Sequence, residues 1–157
     1  MRGATRLIAA LLLLGGGVRA SDSPLDQDAI EYRKSVMRTL EAQFNAIAHI
    51  IAFEGPPQNL RSHLEAALIT ARTVLPSFQK RAPGGTSQPQ IWEKWDDYTM
   101  HARQFEAAIA MAVEAAKHGD VSDVIWYTDQ VSCRQCHNKY QQPRVRGRGW
   151  EEEYLGY

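Results

Sequence analysis

The 157-residue chain has only two cysteines, Cys133 and Cys136. That excludes a multi-bridge disulfide framework and a zinc site built on four thiolates. It has no excess of charge, with 18 basic residues against 18 acidic ones. Neither a nucleic acid nor a charged membrane surface is therefore implied as a partner. No period-two pattern marks a strand, and there is no internal repeat or low-complexity tract. No polar constellation converges on a reacting atom, so an enzyme is not expected.

What is present begins with an N-terminal leader. Arg2 and Arg6 give a positive start, Leu7–Leu14 is a short apolar run, and Val18-Arg19-Ala20 is a small-x-small cleavage site. This pattern reads as a secretory signal peptide over residues 1–20, cut after Ala20. The apolar run is too short to remain as a membrane anchor. Loss of Arg2, Arg6 and Arg19 leaves fifteen basic residues facing eighteen acidic ones, a mature net charge of about −3. Residues 21–142 are one domain's worth of sequence.

Helical periodicity dominates that stretch, in four segments. The first runs from Pro24 and Leu25 to about Phe53, with Met37, Leu40, Phe44, Ile47 and Ile51 in one stripe. Gly55-Pro56-Pro57 is expected to end it. The second starts with Asn59 as N-cap, carries Leu60, Leu64, Ala67, Leu68, Ala71 and Leu75, and ends or kinks at Pro76. Arg81–Ser87 reads as a flexible link. The third carries Ile91, Trp95, Tyr98, Ala102, Phe105, Ile109, Ala112 and Ala116. His118 and Gly119 stand at its C-terminal cap. The fourth opens on Asp120 as N-cap and runs unbroken to Pro143. Four amphipathic helices with short connections predict an all-α fold, an antiparallel four-helix bundle. The tail, residues 143–157, reads either as a poorly ordered terminus or as a docking arm.

The fourth segment contains Cys133-Arg134-Gln135-Cys136-His137, a C-x-x-C-H motif. Two thiols at this spacing can add across the two vinyl groups of one porphyrin, each forming a thioether bond. The histidine that follows can ligate the iron. A thioredoxin-like disulfide belongs beside a βαβ pattern, and none is present. Zinc lacks a fourth ligand. A plain disulfide would not need His137. The motif therefore predicts one covalent haem c near the C-terminal helix, in an exported and hence periplasmic protein.

These residues resemble the class II c-type cytochromes, the cytochrome c′ and cytochrome c-556 family. Tyr32–Met37 (YRKSVM) is similar to the family's opening segment, and Ile91–Trp95 (IWEKW) to its tryptophan-bearing third helix. Tyr140 stands where the family has an aromatic, while Gln141 replaces the usual Lys or Arg after it. The resemblance implies Cys133 and Cys136 as attachment points and His137 as proximal ligand. It implies Arg33 as partner of a haem propionate, with Lys34 bordering the haem. The alternative for Arg33 is a solvated helix charge. Met37 lies on the inward stripe and is the candidate sixth ligand, as in the c-556 type; core filler is the other reading. His49, His63, His101 and His118 read as surface or boundary histidines, with His101 the substitute ligand should Met37 fail.

Two function classes follow. Closed His–Met iron suits electron transfer by Fe(II)/Fe(III) cycling with redox partner proteins. An open sixth position suits binding or sensing of a small gas, NO or CO. The resemblance also makes a homodimer through the first two helices possible. Their outer faces, however, carry Arg38, Glu41, Arg61 and Glu65 rather than an apolar patch.

Overall fold

The computed structural model describes residues 23–131 and 133–142. The expected signal peptide (residues 1–20) and C-terminal tail (143–157) lie outside the described residues. Within them the fold is an antiparallel four-helix bundle, with no strand among the described residues. Helix α1 spans Pro24–Ile51, α2 Leu60–Ser77, α3 Gln90–Glu93, α4 Trp95–Lys117, α5 Val121–Gln130 and α6 Cys133–Tyr140. The short α3 extends α4, and α6 follows α5, so two of the four bundle members are interrupted.

The stripes of the first three segments bury as the periodicity predicts; of the expected fourth stripe, Val124 and Val131 are buried and Thr128 half-buried, but Val121 and Ile125 are exposed. Leu64, Ile109 and Val124 are fully buried, with Ile47 close behind. Each such side chain contributes about 1.5–3 kcal/mol relative to exposure. Ala67 and Ala71 on α2 and Ala112 on α4 are buried too, and small side chains of this kind let helices approach closely. Packing follows chain order: α1 lies on α2, α2 on α4, and α4 on α5. No packing of comparable extent joins α1 to α5 or α6.

The helix ends correct several expectations. Helix α1 stops at Ile51, before Gly55. Phe53 takes a left-handed backbone (φ 64°), with Phe53 N–H donating to the Ile50 carbonyl at 3.1 Å and Glu54 N–H to His49 at 2.8 Å. These bonds form a Schellman cap with phenylalanine where glycine is usual. Asn59 makes no side-chain cap; it closes a 3₁₀ turn over Pro57–Asn59. Pro76 falls in the last turn of α2, one residue before its end.

The third segment is not continuous. Lys94 leaves helical geometry (φ −122°, ψ 48°), yet Lys94 N–H bonds Gln90 at 2.9 Å and Tyr98 N–H bonds Lys94 at 2.9 Å. The ladder bends there without ending. The fourth segment is also broken, since Val131 turns out of the helix (φ −73°, ψ 81°) before α6 begins at Cys133. Its start is as expected: the Asp120 side chain accepts from Asp123 N–H at 2.9 Å. Gly119 caps α4 at φ 74°.

Arg81–Ser87 is more than a link. Ala82 is fully buried, and Gln142 N–H donates to the Thr86 carbonyl at 2.8 Å. A side chain at Gly84 would bring its Cβ within 2.6 Å of Ile30 Cδ1, displacing the tip of that side chain, at a φ of +150° that favours glycine.

Candidate haem site

Helix α6 places Cys133, Cys136 and Tyr140 at i, i+3 and i+7, one helical stripe. Cys136 is half-buried against the core and Tyr140 is buried, while Cys133 and His137 are exposed. The two cysteines are not joined in a disulfide. Burial pushes the Cys136 thiol up to about 11, helped by the nearby Cys133 and Asp97 charges. Burial also raises the Cys133 thiol.

Arg33 is the surprise of α1, at 3% exposure. It is not the solvated helix charge of the alternative reading. Its guanidinium lies 4.9 Å over the Phe78 ring and 5.4 Å over the Trp92 ring, a stacked arrangement that suits a desolvated arginine. Nη2 donates to the Ala82 carbonyl, but Nε and Nη1 are buried with no hydrogen-bond partner among the described residues. Burial holds the group below its ordinary value. Two orphaned donors on a buried cation call for anionic oxygen.

Met37 follows Arg33 by one turn and is half-buried against the core. Lys34 is exposed and pairs with Glu31 at 2.9 Å. An aromatic chain links this part of α1 to α6. Phe78 lies 5.1 Å from Tyr98, and Tyr98 meets Tyr140 edge-on at 5.3 Å. The structure thus ties Arg33 to the attachment helix through aromatic rings. It shows no packing of α1 on α6 comparable to that between successive helices, and among the described residues no His/Cys/Asp/Glu group forms a metal cluster.

The family model for cytochrome c′ matches residues 28–141. The chain belongs to the cytochrome c′ family. It is 24% identical over 122 residues to cytochrome c′ of Rubrivivax gelatinosus, covering 73% of this chain and 95% of that one. Two solved structures of cytochrome c′ from Alcaligenes xylosoxidans share its fold. One is a ferrous variant with bound NO (TM-score 0.70, 22% identity, 74% of this chain and 97% of that one). The other is a reduced mutant (TM-score 0.70, 21% identity, 74% and 96%).

Haem binding comes with the cytochrome c′ family, and the residues present fit the group. The thiols share one face of α6, and the orphaned Arg33 donors suit a propionate. The remaining histidines take other roles. His49 is exposed and bonded to Glu54 at 2.7 Å. His63 bonds Gln43 at 2.8 Å, joining α1 to α2. His118 is the C-cap residue of α4. His101 lies half-buried beside Tyr140, with ring centroids 6.3 Å apart.

One group was not visible in the sequence. Asp97 Oδ2 accepts from Lys139 Nζ at 2.6 Å and from the Tyr140 hydroxyl, with His101 Nε2 3.7 Å away. The Lys139 bond, then the Tyr140 bond, hold the Asp97 carboxyl below its ordinary value. Burial, then the same Asp97 contact, pushes the Tyr140 phenol well above its own. The acidic first turn of α4 signals a helix start and gives no hint of a partner on α6.

Proposed function

We propose that this protein is a periplasmic electron carrier with one covalent haem and no substrate turnover. Cys133 and Cys136 would hold the haem by thioether bonds, with His137 as proximal and Met37 as sixth ligand. Arg33 would pair with a propionate and Lys34 would border the haem edge. When bound, the haem supplies an iron that cycles between Fe(II) and Fe(III). The observation that carries the reading is Arg33, a buried cation with two unpartnered donors one turn before Met37 on α1. A group anchored at Arg33 has the Met37 thioether as its next neighbour along the same helix face. Thioether ligation favours Fe(II) and keeps coordination unchanged between oxidation states.

Location and partners belong to the same proposal. The leader pattern supports export, and no helix among the described residues is long and apolar enough to cross a membrane. Redox partner proteins would meet the exposed haem edge, with no nucleic acid involved. A homodimer through α1 and α2 would show in sedimentation at micromolar concentration.

A second reading is supported by the Alcaligenes xylosoxidans cytochrome c′ that carries NO in its ferrous state. Here the sixth position is open, and NO or CO binds beside Met37. Mass spectrometry and optical spectra of the exported protein test both readings. One haem retained through acid-acetone extraction, a chain starting at Ser21, and a low-spin spectrum support the electron carrier. A high-spin spectrum with ready CO binding moves the function to gas binding. Extractable haem removes both.

A further inference from the structure

The Asp97 cluster is left unexplained by these roles. Helix α6 has only two turns, too few to hold itself helical in water, and it begins just past the break at Val131. Its packing is mainly on α4. Asp97 sits in the first turn of α4, a 23-residue helix, and reaches two adjacent side chains of α6, Lys139 and Tyr140. Helix α6 itself contains Arg134 and Lys139 but no acidic residue. The counter-charge therefore comes from another helix.

We infer that Asp97 is a positioning residue for the proximal side of the haem: it fixes the rotation of α6 and neutralises the cation two residues beyond His137. This inference rests on the haem reading above. Tyr140 lies three residues after His137 on the same short helix, so a rotation that moves Tyr140 swings His137 through the same angle. The Tyr140 end is further held where Gln88 N–H donates to its carbonyl at 3.0 Å and Gln88 Nε2 donates to the Gln141 carbonyl at 2.7 Å. With Gln141 in the usual place of a basic residue, Lys139 supplies the positive charge, and Asp97 offsets it. A carboxylate near the iron favours Fe(III); an ammonium favours Fe(II).

The test is a redox titration of the haem-loaded protein and four variants. At a fixed poise, Asp97→Asn should move the Fe(II)/Fe(III) ratio toward Fe(II) by about five-fold, from one charge at partial screening. Lys139→Gln should move it the other way. Asp97→Glu, which keeps the charge, should restore the wild-type ratio, and Tyr140→Phe should leave it near wild type. Hydrogen exchange of residues 133–142 should quicken in Asp97→Asn and in Tyr140→Phe, while α2 is unchanged. An unmoved ratio in Asp97→Asn, or shifts of the same sign in Asp97→Asn and Lys139→Gln, overturns the inference. Should Asp97→Asn fail to load haem, Lys139→Gln decides alone, and no shift toward Fe(III) overturns it. Wild-type protein without covalent haem would instead refute the haem reading.

Discussion

The Arg33 guanidinium carbon sits 4.9 Å from the centroid of the Phe78 ring, so a helix cation is stacked inside the bundle. This contact uses the planar, weakly hydrated character of arginine. It leaves the Nε and Nη1 donors free for an anion.

Arg33→Met in the haem-loaded protein removes that cation and should move the Fe(II)/Fe(III) ratio at fixed poise toward Fe(III). Arg33→Lys keeps the charge but loses the fork, and should shift it less. Denaturant unfolding should show Arg33→Met destabilised by about 2–4 kcal/mol, the cost of stranding a buried anion. Unchanged potential and stability would mean that no propionate meets Arg33.

Met37→Ala addresses the sixth position. With methionine ligation, the wild-type ferric protein has a weak long-wavelength sulfur-to-iron band. The variant should lose it, show a lower reduction potential and bind CO. The helix should persist, since alanine is its best former. A low-spin spectrum that survives in Met37→Ala points to another ligand, with His101 the first to replace.

Phe53→Gly should stabilise the protein. Phe53 is 96% exposed, so little packing is lost. Its left-handed backbone costs about 1–2 kcal/mol for an L-residue, of which glycine's extra chain entropy returns about 0.5–1. A gain of up to about 1 kcal/mol in urea unfolding is expected. A loss would show that the phenyl ring has a contact in solution.

Acid should weaken the α4–α6 clamp. Asp97 is held below its ordinary value of 3.8, first by Lys139 and then by Tyr140. A depressed carboxyl contributes stability that is complete above its unfolded value and is lost as pH falls through the folded one. The stability gap between wild type and Asp97→Asn should therefore be widest above about pH 5 and shrink as pH falls below the ordinary carboxylate range. A gap constant across that range would remove the charge from the clamp.

The sequence discloses what is local. Stripes such as Leu60, Leu64, Ala67 and Ala71 repeat every three or four residues, and Asp120 and Gly119 announce a helix boundary by side-chain chemistry. The C-x-x-C-H motif is contiguous and needs no fold to be seen. The bends at Lys94 and Val131 carry no proline or glycine, so no local breaker announces them. Arg81–Ser87 has the composition of a link, yet Ala82 accepts from an arginine 49 residues away. Tyr140 and Asp97 are 43 residues apart, a separation that no periodicity spans. Arg33 could be placed only through family resemblance, because a lone arginine on a helix looks like a surface charge.

Helix α1 touches α2, α2 touches α4, and α4 touches α5, each the next in order along the chain. Such nearest-neighbour topology keeps the main helix contacts between successive members, and even the longest connection, residues 78–89, closes at modest entropic cost. Assembly can proceed like a folding screen, panel by panel, without waiting for the two ends of the chain to meet. The last panel carries Cys133, Cys136 and His137, which places them at the edge where the screen remains accessible longest.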